Sequence, residues 1–245
     1  EVLPEGVSFD GASDYLTRSS NMTGSADSKT FTFSAWIYLA SDAPNLENPI
    51  ISFDSNRGIA IQPRNNGDMY FYAMTTNTGG VLTGQISSRQ VPLDTYFNLL
   101  LSVDLASTSN RHLYFGDLSI PVSWTTYTNA VIDFTALPRI ASRDVESPMK
   151  GRLAHVFLDY TYRDLSVTAN RRLFIDADGK PSSTIPSSPI LYLPLTDAAT
   201  AGSNSGTGGD FTVNGVLATA ERGPNQDNCS ASTFDGSNDY MRRTS

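Results

Sequence analysis

Residues Thr30–Leu39 read TFTFSAWIYL, and this stretch decides the fold class. Phe31, Phe33, Ala35, Ile37 and Leu39 recur at period two, which puts them on one face of a strand. Thr32, Ser34, Trp36 and Tyr38 fall on the other face. One face must be core. The second begins polar and ends aromatic, so it is expected to be covered at one end only or to line a groove.

On the N-terminal side lies Val7–Ser20, VSFDGASDYLTRSS, which the chain uses twice. Ser232–Ser245, STFDGSNDYMRRTS, aligns with it without gaps. Seven of the fourteen positions are identical: Phe9/Phe234, Asp10/Asp235, Gly11/Gly236, Asp14/Asp239, Tyr15/Tyr240, Arg18/Arg243 and Ser20/Ser245. Asp-Gly is a turn signal because Gly accepts positive φ without steric cost. Tyr15 and Leu16 then resume an extended segment. Asp10 and Asp14 flank the turn, where carboxylates accept hydrogen bonds from turn N–H groups. With loop carbonyls they would instead hold calcium. Two carboxylates fall short of the oxygen shell that ion takes, so calcium stays a possible cofactor and no metal ligand is assigned.

Toward the C-terminus the chain is a series of short strands between turn residues. Ile50–Phe53 is one, and Ile59–Gln62 with Met69–Met74 reads as a hairpin across Asn65–Asp68. Gly79–Arg89 reads as loop or edge strand. Phe97–Leu105 and Arg111–Leu118 form a second hairpin. Ile120–Thr128 contains Pro121 and is edge or loop. Arg139–Ser142 is short. Gly151–Tyr160 is long, with Ala154, Val156 and Leu158 opposite Leu153, His155 and Phe157. Asp164–Ile175 breaks the pattern: Leu165, Ala169 and Leu173 recur at i, i+4 and i+8. This predicts one short helix, capped by Ser166 and stopped by Gly179 and Pro181. Ile190–Leu195 and Phe211–Val216 return to strand. The expectation is an all-β, two-sheet antiparallel sandwich with one late helix.

Composition agrees. Of 245 residues 39% are hydrophobic, enough for a sizeable core, and 20 Asp against 5 Glu lean toward turns and away from helix. A net charge of −8 without a basic stripe argues against nucleic acid as partner. Cys229 stands alone, so no intrachain disulfide is expected. Glu1–Gly6 is polar and no long apolar run occurs, so neither a secretory leader nor membrane insertion is expected. Residues 1–219 are expected to form one sandwich. Residues 220–245 read as a linker and a strand that repeats the first. That strand either opens a second module or occupies an equivalent slot in a neighbouring domain or subunit.

The ordered series Phe9-Asp10-Gly11, Asp14-Tyr15, Phe31–Leu39, Ile50-Ile51-Ser52, Gly67–Phe71 and Gly151–Leu158 before Asp164-Leu165-Ser166 resembles the laminin-G-like branch of the concanavalin-A-like lectin/glucanase family. The resemblance implies a jelly roll of two curved antiparallel sheets. A narrower likeness covers Gly151–Ala154, Asp164–Ser166, Asn170–Ile175, Gly179–Pro181, Pro189–Leu193 and Asn204–Val213. It resembles the tail of laminin-G-like modules in virion proteins of tailed bacteriophages. The family often has an acidic residue just after the Gly151-type position. Here Leu153 and Ala154 stand near that slot, so no ligand role is carried over to it.

Catalysis is not expected. Sandwich glycosidases set acidic residues at alternate positions of one strand, whereas Glu1, Glu5, Glu47, Glu146 and Glu221 all lie in expected loops. Asp144-Val145-Glu146 comes nearest and lacks strand context. Gly202–Gly206 has Asn204 where a nucleophile elbow needs Ser. His112 and His155 lack metal spacing, and His155 reads as structural. A glycan site needs an aromatic to stack on a sugar face, with amides and carboxylates beside it. Trp124, Tyr127 and Asn129 form one candidate, and Asp54, Asn56 and Arg57 another. The alternative for Trp124 is capping the sandwich edge, and Trp36 reads as packing. Arg171-Arg172 reads as a solvated face or a subunit contact.

The chain is therefore expected to be a non-enzymatic structural module on the virion surface: a fibre, spike or capsid decoration. Its expected partners are other virion proteins, further copies of itself and a host-surface glycan bound through avidity. A secreted or cell-surface lectin of cellular origin is the alternative, and a glycoside hydrolase the third reading.

Overall fold

A computed structural model describes residues 6–43, 47–54, 57–64, 66–76, 79–86, 91–143, 148–220 and 223–224. The repeat at Ser232–Ser245, Cys229, Asn56 and the Asp144–Glu146 triplet lie outside the described residues. The strands are β1 (Val7–Asp10), β2 (Tyr15–Thr17), β3 (Thr30–Leu39), β4 (Ile51–Phe53), β5 (Gly58–Pro63), β6 (Met69–Thr76), β7 (Gly79–Ile86) and β8 (Tyr96–Asp104). They continue with β9 (Arg111–Phe115), β10 (Leu118–Ser119), β11 (Ser123–Tyr127), β12 (Pro138–Ile140), β13 (Lys150–Asp159), β14 (Leu191–Leu193), β15 (Thr212–Asn214) and β16 (Ala218–Thr219). Helix α1 is Thr168–Arg171.

Two antiparallel sheets result. Sheet A runs β10-β9-β8-β3-β13-β1-β16, with β14 beside the second half of β13. Sheet B runs β11-β7-β6-β5-β4-β12-β2-β15. The architecture is an all-β jelly-roll sandwich with one short helix. Its core is the set of inward positions that period-two alternation supplies: Phe31, Phe33, Ile37 and Leu39 of β3 meet Ile51, Ile59, Ile61 and Phe71 of sheet B. The late strands complete both sheets: β16 pairs with β1, β15 with β2 and β14 with β13.

The second face of β3 is covered along its length, not at one end. Trp36 packs with Tyr96, Ala154 and Ile175, and a separate cluster joins Leu100, Phe157, Leu165 and Phe174. At the polar start, Thr32 Oγ1 donates to the Thr161 carbonyl at 2.6 Å. The chain after β13 thus lies across the outer face of sheet A.

Five local expectations need correction. β7 is an interior strand between β6 and β11, because Val81, Leu82 and Ile86 bury against the core. Arg111–Leu118 splits at a turn where Gly116 takes φ +58°. In β13, Leu153 faces inward with Val156 and Leu158, while Ala154 and Phe157 face outward. One extra residue between Ala154 and Phe157 resets the alternation. His155 sits in that bulge at φ +49°, and its N–H bonds the Pro194 carbonyl. The helix is four residues long, not twelve. Its N-cap is Val167, without a side-chain cap, because Ser166 donates to Asp164 instead. Arg171 is not solvated: it is buried, donates to the Leu165 carbonyl and pairs with Asp117. Arg172 shares that carboxylate and ties the helix to the β9–β10 hairpin. No helix among the described residues is long and apolar enough to cross a membrane.

Candidate functional site

On the outer face of sheet B, polar and aromatic groups converge. In β6, Met69, Phe71 and Ala73 face the core, so Tyr70 and Tyr72 stand on the outer face. Their rings are stacked, 12° apart in plane with centroids at 6.3 Å. Register puts Gln62, Tyr70 and Gln85 in one row across β5, β6 and β7, with Ala60, Tyr72 and Thr83 in the next. Gln85 Nε2 donates to the Tyr70 hydroxyl at 2.9 Å. The Arg64 guanidinium lies over the Tyr70 ring at 4.1 Å and so occupies that ring's face. Arg64 also donates to Glu47 Oε1 at 2.9 Å, and Arg143 donates to Glu47 Oε2 at 2.8 Å.

Beside Tyr72 is a depression of about 320 Å³, lined by Tyr72, Met74, Gln62, Ser52, Glu47 and Arg143 among others. Ala60 forms part of its floor; a small side chain here leaves room along the flank of Tyr72. Ser52 and Gln62 are polar residues held almost out of solvent, and Ser52 Oγ donates to the Ser142 carbonyl at 2.7 Å. Burial, with the Glu47 carboxylate adding to it, holds the Tyr72 phenol above its ordinary pKa. The phenol therefore stays a neutral donor. An aromatic flank, an amide, a carboxylate and a guanidinium in one depression suit a polyhydroxylated ligand.

Of the sequence candidates, Asp54 adjoins this depression in sequence but does not line it. It follows Ser52 and Phe53 of β4 and accepts from Arg139 Nε at 2.9 Å. Arg57 Nε lies 3.4 Å from Asp133, and Asn56 is outside the described residues. Trp124, Tyr127 and Asn129 lie elsewhere, at the β11 edge. Trp124 pairs with Gly84 of β7, and its half-buried ring meets Phe71 edge-on at 6.1 Å. Arg111 covers Trp124 and Tyr127, with its guanidinium 5.1 and 5.2 Å from the two ring centres. The Tyr127 hydroxyl donates to the Leu105 carbonyl at 2.7 Å, and Asn129 Oδ1 accepts from Lys29 Nζ at 2.9 Å. Both rings thus pack against the core's edge. Sequence reasoning missed Tyr70, Tyr72 and Gln62. For the two tyrosines the signal was present in MYFYAM, where aromatics occupy the solvent-facing positions of an alternating strand; Gln62 had no such signal.

The acidic residues of the opening turn are used internally. Asp10 Oδ1 accepts the N–H groups of Ala12, Ser13 and Asp14 at 2.8, 2.8 and 3.1 Å. These bonds lower its pKa, against the opposing pull of burial. Asp14 accepts from the N–H groups of Asp10 and Val216. Among the described residues no group of three His, Cys, Asp or Glu could hold a metal ion. His155 Nδ1 is 2.9 Å from the Tyr192 hydroxyl, a packed contact between strands.

No protein-family model matches the sequence, and no curated protein does. The fold is shared with solved structures at low identity. A candidate carbohydrate-binding protein from Bacteroides ovatus superposes with a TM-score of 0.62 at 12% identity, over 90% of this chain and 61% of its own. This chain therefore spans about three fifths of that protein. The native heptameric SAP-like pentraxin of Limulus polyphemus gives a TM-score of 0.56 at 8% identity, over 90% of this chain and 97% of its own. These likenesses are of fold: both structures are jelly-roll sandwiches.

Proposed function

We propose that the chain is a non-catalytic glycan-binding module that takes its ligand on the outer face of sheet B, against Tyr72. The observation that carries the reading is the depression flanked by that ring, into which Gln62, Ser52, Glu47 and Arg143 converge. The Tyr72 flank suits the C–H face of a sugar, while the amide, carboxylate and guanidinium suit its hydroxyls. That a carbohydrate-binding assignment accompanies a protein of similar fold adds support.

The test compares two alanine variants on a glycan array and by urea unfolding. Tyr72→Ala should abolish array binding and leave the unfolding midpoint nearly unchanged. Trp124→Ala should cost about 2 kcal/mol, since its ring packs half-buried on Phe71, and leave binding intact. Binding that survives Tyr72→Ala and disappears with Trp124→Ala would move the site to the β11 edge. The finer reading, a module on the particle of a tailed bacteriophage, has one support: the sequence resemblance of the segments between Gly151 and Val213. Mass spectrometry of purified particles tests it, and a chain absent from them would remove it.

A further inference from the structure

A second cleft, of about 540 Å³, opens where β13 ends and shares no lining residue with the depression beside Tyr72. Stretches far apart in sequence wall it: Gly24, the segment Asp159–Arg163, the segment Pro186–Ser188 with Ile190, and Thr207. Backbone bonds lace them together. Thr23 N–H donates to the Gly208 carbonyl, Thr207 N–H to that of Pro189, and Gly208 N–H to that of Ile190, each at 2.9 Å. A Cβ on Gly208 would fall 2.5 Å from the Ile190 carbonyl oxygen, so the loops meet at backbone contact. The cleft is built before any ligand arrives, and its volume is in the range of small-molecule sites.

One wall is an ion pair. Arg163 Nη1 donates to Asp159 Oδ1 at 2.7 Å and Nη2 to Oδ2 at 2.6 Å, with both side chains about nine-tenths buried. The guanidinium is held over the rings of Phe157 and Phe174 at 5.7 and 5.8 Å, and Arg163 N–H donates to Ser102 Oγ at 2.8 Å. The pair is neutral as a unit, so it selects neither an anion nor a cation. Arg163 has five N–H donors, and these bonds leave some unused, while Asp159 Oδ2 keeps a lone pair. A donor and an acceptor therefore lie side by side, which is the pattern two adjacent hydroxyls complement. The hydroxyls of Thr161, Ser187, Ser188 and Thr207 add further partners, and Leu173 and Ile190 supply apolar surface.

We propose that this cleft is a second binding site, distinct from the Tyr72 face, for a neutral saccharide unit bearing adjacent hydroxyls. The test follows backbone amide shifts of the full chain titrated with methyl α-mannoside, methyl β-galactoside and methyl β-glucoside, with glycerol as control. At least one glycoside should shift the Thr161, Arg163 and Ser187 amides saturably, and glycerol should not. Tyr72→Ala should leave those shifts in place, so failure of the sheet B reading would not touch this one. Ser187→Trp fills the cleft from an exposed position and should weaken binding at least tenfold. Thr161→Val removes one hydroxyl while keeping the backbone bonds and should weaken it severalfold. Shifts absent with all three glycosides, equal with glycerol, lost in Tyr72→Ala, or unaffected by both cleft variants would overturn the proposal.

Discussion

Asp14→Asn tests whether the repeated Asp-Gly motif clasps the fold or holds an ion. Asp14 is 3% exposed. Its Oδ2 accepts the Asp10 N–H at 3.1 Å and its Oδ1 the Val216 N–H at 2.9 Å, tying the opening turn to the turn between β15 and β16. Gly215 approaches so closely that a Cβ there would lie 2.1 Å from Oδ1. An asparagine keeps one acceptor and turns an NH₂ toward the other N–H, so one buried donor is stranded at roughly 1–3 kcal/mol. Asp14→Ala strands both, for roughly twice that. Burial, then the neighbouring Asp10 charge, raises the Asp14 pKa above 3.8, against the Val216 hydrogen bond. A raised folded pKa means that this group's titration contributes stability below 3.8 and that the contribution is lost as pH rises through the folded value. Asparagine does not titrate, so the gap between wild type and Asp14→Asn should narrow as pH rises from below 3.8 through the raised folded value. Urea unfolding followed by tryptophan fluorescence, with calcium and with EDTA, reads all of this. Equal midpoints for wild type and Asp14→Asn would refute the clasp. An EDTA effect on wild type as large as the substitution would show that the carboxylate holds a metal instead.

Two further outcomes follow from the same reasoning. Asp117 has its pKa lowered from 3.8 to about 2, first by the Arg172 hydrogen bond and then by Arg171. Its contribution is present above 3.8 and lost as pH falls toward 2, so Asp117→Asn should destabilise at neutral pH and be silent near pH 2 in urea unfolding. The carboxylate is 46% exposed, and solvent screening brings the expected loss to about 1 kcal/mol, under half of what the shift converts to. Gly151→Ala would set a Cβ 2.2 Å from the Tyr38 carbonyl oxygen, between the central strands β13 and β3. It should cost roughly 3 kcal/mol or more, with lost amide protection in both strands, and a near-neutral result would mean that the backbone there yields easily.

The sequence carried the fold where burial alternates simply. Thr30–Leu39 has that alternation throughout, and β3 runs over those ten residues. It misled where tertiary structure breaks period two or makes helix spacing redundant. The extra residue at His155 resets the parity of β13, and nothing in Gly151–Tyr160 marks it, because Leu153, Ala154, Val156 and Phe157 are apolar on both sides. Leu165 and Leu173 keep helical spacing, yet they are fixed over sheet A by a turn, a four-residue helix and the Arg171–Asp117 pair. The candidate site was less legible. Trp124 stood out because tryptophan is scarce and its segment contains proline, but register sets its ring against Gly84 and Phe71. The surroundings of Tyr72 come from β4, β5, the Glu47 segment and Arg143, and these span residues 47–143, beyond any local motif.

The two clefts together bear on how such a module would hold a surface. A shallow face with one available aromatic flank binds a sugar with about millimolar affinity, near −4 kcal/mol. Tyr70 adds little to that, because Arg64 already covers its ring. A stronger single site would need deeper burial, and the outer face of an antiparallel sheet does not supply it. Two sites on one rigid sandwich need no ordering of a linker, and copies held together multiply them, so avidity gains of roughly 10²–10⁴ need no new contact. The net charge of −8 works against close approach to an acidic surface at low salt, whereas neither the Asp159–Arg163 pair nor the Tyr72 ring repels a neutral glycan. Weak, neutral and multiple contacts would suit the proposed role, in which the module settles on a polysaccharide and still lets go of any one chain.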